Sequence, residues 1–173
     1  MKKKKVLFIL HMPPPVHGAA MIGQYIHDSR PINTAFDCRY INLSLANSLN
    51  DIGKASIKKL FDYLHQLWLI RREARRFSPH LVYVTPNAEG QAFYKDYVVV
   101  QMLKHMGFQV VVHYHNKGVA NSQDKFFDNL LYRRFFKHLK VILLARSLYD
   151  DVKKYVKPED VMYCPNGIPD MQS

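Results

Sequence analysis

The residues best suited to chemistry are histidines and asparagines that follow short β-favouring runs. His113 and His115, in Val112-His113-Tyr114-His115, stand at i and i+2 and so face one side of a strand. Such a pair can move a proton, hold a sugar or phosphate oxygen, or ligate a metal. A metal needs further ligands and only His11 and His17 are plausible extras, so no metal site is expected. His113, deeper in its run, is expected to be a hydrogen-bonded core histidine. His115, at the end and followed by Asn116-Lys117-Gly118, is expected to face a crevice.

Gly18-Ala19-Ala20-Met21-Ile22-Gly23 follows an apolar run and opens a helix, reading G-x-A-x-x-G. Ala20 replaces the central glycine of a dinucleotide fingerprint, and the second strand ends Asn42-Leu43-Ser44, with no acid for a ribose. A nicotinamide dehydrogenase is therefore disfavoured. Gln24-Tyr25 stand where a phosphate-binding P-loop has Lys and Ser or Thr, which excludes that motif. What survives is a small-residue helix N-terminus whose N–H groups and dipole suit an anion. The alternative is that Gly18, Ala19 and Ala20 only let the helix pack close to the sheet. No G-x-S-x-G elbow occurs, and Cys164 has Pro165 beside it and no evident base.

The elements that position these residues alternate. β-favouring runs are expected over Val6–Leu10, Asp37–Leu43, His80–Thr85, Phe108–His115, Lys140–Ala145 and Asp160–Tyr163. Helices are expected over Gly18–Asp28, from Ile57 to about Phe77, Glu89–Met106, Asp124–Lys137 and Ser147–Val156, the last capped by Ser147. Asn47–Gly53 reads as a turn. Ile57, Leu60, Phe61, Leu64, Leu67 and Trp68 share one helical face, expected to pack on the core. Strands and helices at crossover spacing predict an α/β fold: a Rossmann-like, doubly wound parallel sheet of about six strands with helices on both faces. Ligands of such sheets bind beyond the carboxyl ends of the strands. That rule selects His17 and Gly18, Asn87, His115 and Asn116, Arg146, and Asn166 as site residues, a set that suits hydroxyls and phosphates rather than a hard metal ion.

The chain has 173 residues, 48% hydrophobic and 23% charged, which fits one globular domain over residues 1–170. Two cysteines are too few for a disulfide framework and fit a reducing compartment. The lysine-rich start imitates a signal peptide, but His11 and the three prolines at 13–15 cut its apolar run short. A cytoplasmic location is expected, with peripheral attachment to the inner membrane face as an option. The net charge of +11 favours an anionic partner. Much of it falls between Lys54 and Arg76, which reads either as a solvated helix face or as a contact for an anionic membrane surface. No RNA-binding consensus or zinc-finger spacing appears, so no nucleic-acid partner is expected.

Four stretches carry a resemblance: Lys5–Leu10 with its loop to Gly18, His80–Val84, Val110–His115 and Val141–Ser147. The sharpest feature is Tyr163-Cys164-Pro165-Asn166-Gly167-Ile168. Together they resemble the N-terminal domain of a GT-B fold glycosyltransferase of the family-4 group, which uses nucleotide-sugar donors and retains anomeric configuration. The resemblance implies transfer to a glycan or lipid-linked acceptor in cell-surface polysaccharide synthesis, without metal or other cofactor. It implies His115 at the donor sugar as the catalytic contact, Gly18 in a loop near donor phosphates or acceptor, and Asn166 at an interdomain hinge. The Pro-Pro-Pro-Val-His-Gly loop departs from the frequent glycine pair, and Arg146 has no counterpart. The donor's nucleotide belongs in such enzymes to a C-terminal domain, absent from this chain, so the isolated chain is expected to be inactive. A non-catalytic binding or scaffold module and a nucleic-acid-binding domain are the alternatives.

Overall fold

Val6–Leu10 is buried at every position, as a strand covered on both faces requires. In a computed structural model, which describes residues 2–14, 16, 18–43 and 57–166, it forms an interior strand of one sheet. The strands are β1 (Lys5–Leu10), β2 (Asp37–Asn42), β3 (Leu81–Val84), β4 (Val110–Tyr114), β5 (Lys140–Leu143) and β6 (Val161–Tyr163). Their order is β2-β1-β3-β4-β5-β6, and every neighbouring pair is parallel. From β1 the chain steps one way to β2, then returns past β1 and runs outward through β3 to β6. The order therefore reverses between β1 and β3. The expected turn over Asn47–Gly53, and His17, Lys54 and Gly167, lie outside the described residues.

The helices are α1 (Gly18–Asp28), α2 (Arg30–Ala35), α3 (Ile57–Phe77), α4 (Gly90–His105), α5 (Val119–Ser122), α6 (Phe126–Phe136) and α7 (Tyr149–Val152). Strand periodicity divides the core between the two faces. Leu7, Ile9, Val82, Val84, Val112 and Tyr114 meet Ile70, Ala74 and Phe77 of α3, Phe93 and Leu103 of α4, and Phe135 of α6. Val6, Phe8 and Leu10 meet Ile26 of α1 and Ile32 of α2. The sheet is thus doubly wound and Rossmann-like, with helices on both faces. No described helix is long and apolar enough to cross a membrane. Cys38 and Cys164 are free thiols.

Three expectations need correction. Most of the apolar stripe of α3 does not pack on the core: Ile57, Leu60, Phe61, Leu64 and Trp68 are exposed, Leu67 alone of the six is partly buried against it, and full burial begins at Ile70. The cause is length. A helix of 21 residues spans roughly 31 Å, whereas β1, with 6 residues, spans roughly 20 Å, so the first turns of α3 project past the sheet. Secondly, α2 fills a stretch between α1 and β2 to which the sequence pattern assigns no element. Ser29 accepts a hydrogen bond from the Ile32 N–H at 3.5 Å, and Pro31 occupies the first turn, where its missing N–H costs nothing. Thirdly, Ser147 caps no helix. Arg146–Leu148 is a 3₁₀ turn that begins at Ala145 without a side-chain cap, and α7 follows it.

One core side chain is imperfectly satisfied. Tyr114 is 1% exposed and its hydroxyl has no hydrogen-bond partner. Removing an unpaired buried hydroxyl removes a desolvation penalty of about 1 kcal/mol or more. Tyr114→Phe is therefore expected to leave stability unchanged or raise it by about 1 kcal/mol, as urea unfolding would measure.

Candidate functional site

β4 delivers two imidazoles to the carboxyl edge of the sheet. His113 is 5% exposed; its Nδ1 lies 2.5 Å from the hydroxyl of Tyr83 on the neighbouring strand. The His113 and His115 rings, on one face of the strand, meet at a tilt of 39° with centroids 4.2 Å apart. Burial, then the neighbouring His115, push the His113 pKa down to about 4, against the Cys164 backbone. Burial also lowers the pKa of His115, opposed by the Asn166 side chain beside it. Burial thus favours the neutral form of both imidazoles. Nε2 of His113 and both ring nitrogens of His115 are buried and unpaired. A neutral imidazole offers one donor and one acceptor, which fits hydroxyl recognition or proton transfer. Tyr83, His113 and Asn166 line a cavity of about 580 Å³ whose opposite wall is Ile22, Tyr25 and Ile26 of α1 and Ile32 of α2.

A second, more polar crevice of about 390 Å³ opens where the strand order reverses, between α3 and α4. The backbone N–H of His11, just past β1, donates to the Thr85 hydroxyl at 3.4 Å. Asn87, just past β3, donates to Asp96 Oδ2 from its backbone N–H at 2.8 Å and its side-chain amide at 2.9 Å. The same amide nitrogen lies 3.5 Å from His11 Nε2. Burial of Asp96 raises its pKa to about 6, opposed by the two bonds from Asn87. The crevice thus holds a line of groups, His11, Asn87 and Asp96, whose last member titrates close to neutrality.

The turn after β4 builds a cluster of converging N–H groups, and the protein fills it itself. Gly118, at φ 154°, cannot carry a side chain without strain, and an added Cβ would stand 2.7 Å from the Glu89 carboxyl carbon. Asp151 of α7 accepts from the backbone N–H groups of Gly118 at 3.0 Å, Val119 at 3.2 Å and Ala120 at 3.0 Å. Charge-assisted bonds to backbone donors are among the stronger ones. Asp151→Ala is expected to cost about 2 kcal/mol in urea unfolding, because three N–H groups lose their acceptor. The same loop is thereby closed to an outside phosphate.

The sequence-derived site residues divide accordingly. His115 meets Asn166, and Asn87 meets His11. Asn116 is exposed in the turn after β4. Gly18 is exposed, and a Cβ there would touch nothing within 4 Å. Close packing falls instead to Ala20, which is fully buried, and to Gly23, where a Cβ would stand 2.0 Å from the His11 carbonyl oxygen. Arg146 is exposed and lies over the Tyr163 ring at 5.5 Å, with no link to the imidazoles. His17 is outside the described residues. No group of His, Cys, Asp and Glu side chains that could hold a metal forms among the described residues.

Sequence reasoning missed Asp96 and Asp151. Asp96 had a signal: with Phe93, Val100 and Leu103 it falls at helical spacing on the buried stripe of α4, an acid where an apolar residue is the rule. Asp151, in Tyr149-Asp150-Asp151, had none, since its partners lie about 30 residues away. A further concavity, of about 1110 Å³, opens at the amino ends of the strands around Gly107, Lys137 and Lys140, away from the edge where such sheets bind ligands. A scan of protein-family models found no match to this chain, and a search of curated proteins found none either.

Proposed function

We propose that this chain is the acceptor-side domain of a retaining, metal-independent glycosyltransferase. It would act with a nucleotide-sugar donor on a glycan or lipid-linked acceptor, as in cell-surface polysaccharide synthesis. The observation that carries the reading is His115: an imidazole at the carboxyl edge of a central strand, its ring nitrogens buried beside the Asn166 side chain and its charged form disfavoured by burial. A sugar hydroxyl would reach the ring once the Asn166 side chain swings aside, and would then receive a hydrogen bond and give one. The Asp151-filled turn favours a division of labour in which the donor diphosphate is held elsewhere. The polar crevice around Asn87 would take acceptor hydroxyls.

Chemical-shift mapping of the ¹⁵N-labelled chain tests the reading. Millimolar nucleotide sugars and short glycans are expected to perturb amides at 85–87, 115–118 and 166. A labelled oligonucleotide is expected to leave them in place. Perturbation by the oligonucleotide alone would assign the chain to nucleic-acid binding instead; no perturbation by any sugar ligand would leave only a scaffold role.

A further inference from the structure

Exposed apolar side chains are not spread evenly over this domain. Of the large hydrophobic residues that are exposed, Ile57, Leu60, Phe61, Leu64 and Trp68 lie on α3, Tyr94 and Val98 on α4, and Phe126, Phe127 and Leu130 on α6. These three helices form a single layer on one face of the sheet, and in each the exposed residues occupy the N-terminal part. Hydrogen bonds join those parts side by side: the Tyr63 hydroxyl donates to the Lys95 carbonyl at 2.9 Å, and the Tyr94 hydroxyl to Asp128 at 2.7 Å. Helices that return along a parallel sheet start at its carboxyl edge, so the apolar residues gather at the end that holds the polar crevice. Exposure is high: 75% at Ile57, 65% at Phe61, 77% at Phe126 and 76% at Phe127. Apolar residues are normally scattered singly over a monomer surface; a group of this kind marks a contact.

The charge around the group says what the contact is with. Beside the group, α3 carries Lys58, Lys59, Arg71 and Arg72 and α4 carries Lys95, against the carboxylates Asp62, Asp96 and Asp128, of which Asp96 and Asp128 are buried; the other Lys and Arg of these helices fall in their last turns, at the far end. On α3, basic pairs bracket the apolar residues: Lys58 and Lys59 at one end, Arg71 and Arg72 at the other. Arg72 lies over the Trp68 ring at 4.5 Å. Leu, Phe and Trp interleaved with Lys and Arg on one helix is the pattern of an element lying in a lipid–water interface, its apolar side chains among the upper acyl carbons and its cations among the headgroups. Each basic residue held at an anionic surface contributes about 1 kcal/mol.

We infer that the N-terminal parts of α3, α4 and α6 dock this domain on an anionic lipid bilayer, with Trp68 and its apolar neighbours inserted below the headgroups. The inference does not rest on the sugar-transfer reading. It brings the crevice between α3 and α4, walled partly by Asp62, Tyr63 and Gln66, up against the lipid surface.

Trp68 is the only tryptophan of the chain, so its emission reports insertion directly. Phosphatidylglycerol vesicles are expected to shift that emission to the blue, and bromine-labelled acyl chains to quench it. Phosphatidylcholine vesicles are expected to do neither. Phe61→Ser with Leu64→Ser, and separately Phe126→Ser with Phe127→Ser, are expected to weaken vesicle binding roughly tenfold or more, given about 1.5–3 kcal/mol for each large apolar side chain buried. All four side chains are exposed, so thermal melts should match the parent.

Four results would overturn the inference. The first is an emission unchanged by either vesicle. The second is equal, salt-insensitive binding to both lipids, which would remove the role of charge. The third is full binding by the Phe126 and Phe127 pair variant, which would remove α6. The last is a blue shift that grows with protein concentration in the absence of lipid, which would make the occupant a second copy of the chain.

Discussion

Gly23→Ala is expected to destabilise the domain by about 3 kcal/mol, lowering the melting temperature by about 8 °C for a chain of this size. The expectation runs against local propensity, since alanine in a helix interior gains up to about 1 kcal/mol over glycine. Position decides it. The added methyl would stand 2.0 Å from the His11 carbonyl oxygen and 3.1 Å from its carbon, both backbone atoms that cannot swing aside. α1 would have to move off the end of β1, loosening the contact of Ile26 with Val6, Phe8 and Leu10. Gly18→Ala, in open space, supplies the control and should stay within about 0.5 kcal/mol of the parent. Equal losses from the two substitutions would show that helix-to-sheet proximity is not what the glycine at 23 provides.

The second large effect depends on pH. Asp96 is a buried acid with its pKa raised to about 6 in the folded chain, against 3.8 for the free group. Stability from its protonated form is complete below pH 3.8 and lost as pH rises through about 6, a change of roughly 2–3 kcal/mol. His113, depressed to about 4, has the opposite sign: its contribution is present above pH 6.5 and lost as pH falls through about 4. Between pH 4 and 6 the two offset each other. Asp96→Asn keeps an acceptor oxygen for the N–H groups of Asn87 and removes the titration. Its stability relative to the parent should therefore improve by roughly 2–3 kcal/mol between pH 4 and pH 8, and the two should unfold alike in acid, where Asp96 of the parent is protonated. Urea titrations at both pH values measure this. A difference that does not change with pH would mean that Asp96 does not titrate in this range.

Much of the architecture was legible because it follows from local pattern. Val6–Leu10, Val110–Tyr114 and the alternation at Asp37–Asn42 identify buried and edge strands without tertiary information. Gly107, at φ 84°, ends α4 where a residue without a Cβ is favoured. α3 shows the limit of pattern reading. Periodicity finds its apolar face, but whether that face is covered depends on how long the neighbouring strands are.

The site divides in the same way. His113 and His115 share a face by strand geometry alone, and their burial at a strand end follows from the run before them. The partnership of Asn87 with Asp96, and the capture of the Gly118–Ala120 amides by Asp151, join segments that no local rule connects. The short α5 and α7, at four residues each, are too brief to leave a periodic signal, and the turn they build carries that anion-binding cluster.

The most direct test of the sugar-transfer account is the titration of the His115 imidazole itself, followed by its ring C–H resonance with and without a saturating nucleotide sugar. Alone, the ring is predicted to titrate below 6.5, because burial disfavours its charged form. A nucleotide sugar bound against it brings hydroxyl oxygens that accept hydrogen bonds from the charged ring, and is predicted to move that midpoint upward. Superimposed titration curves for every nucleotide sugar tried would contradict the account, because His115 would then meet no donor.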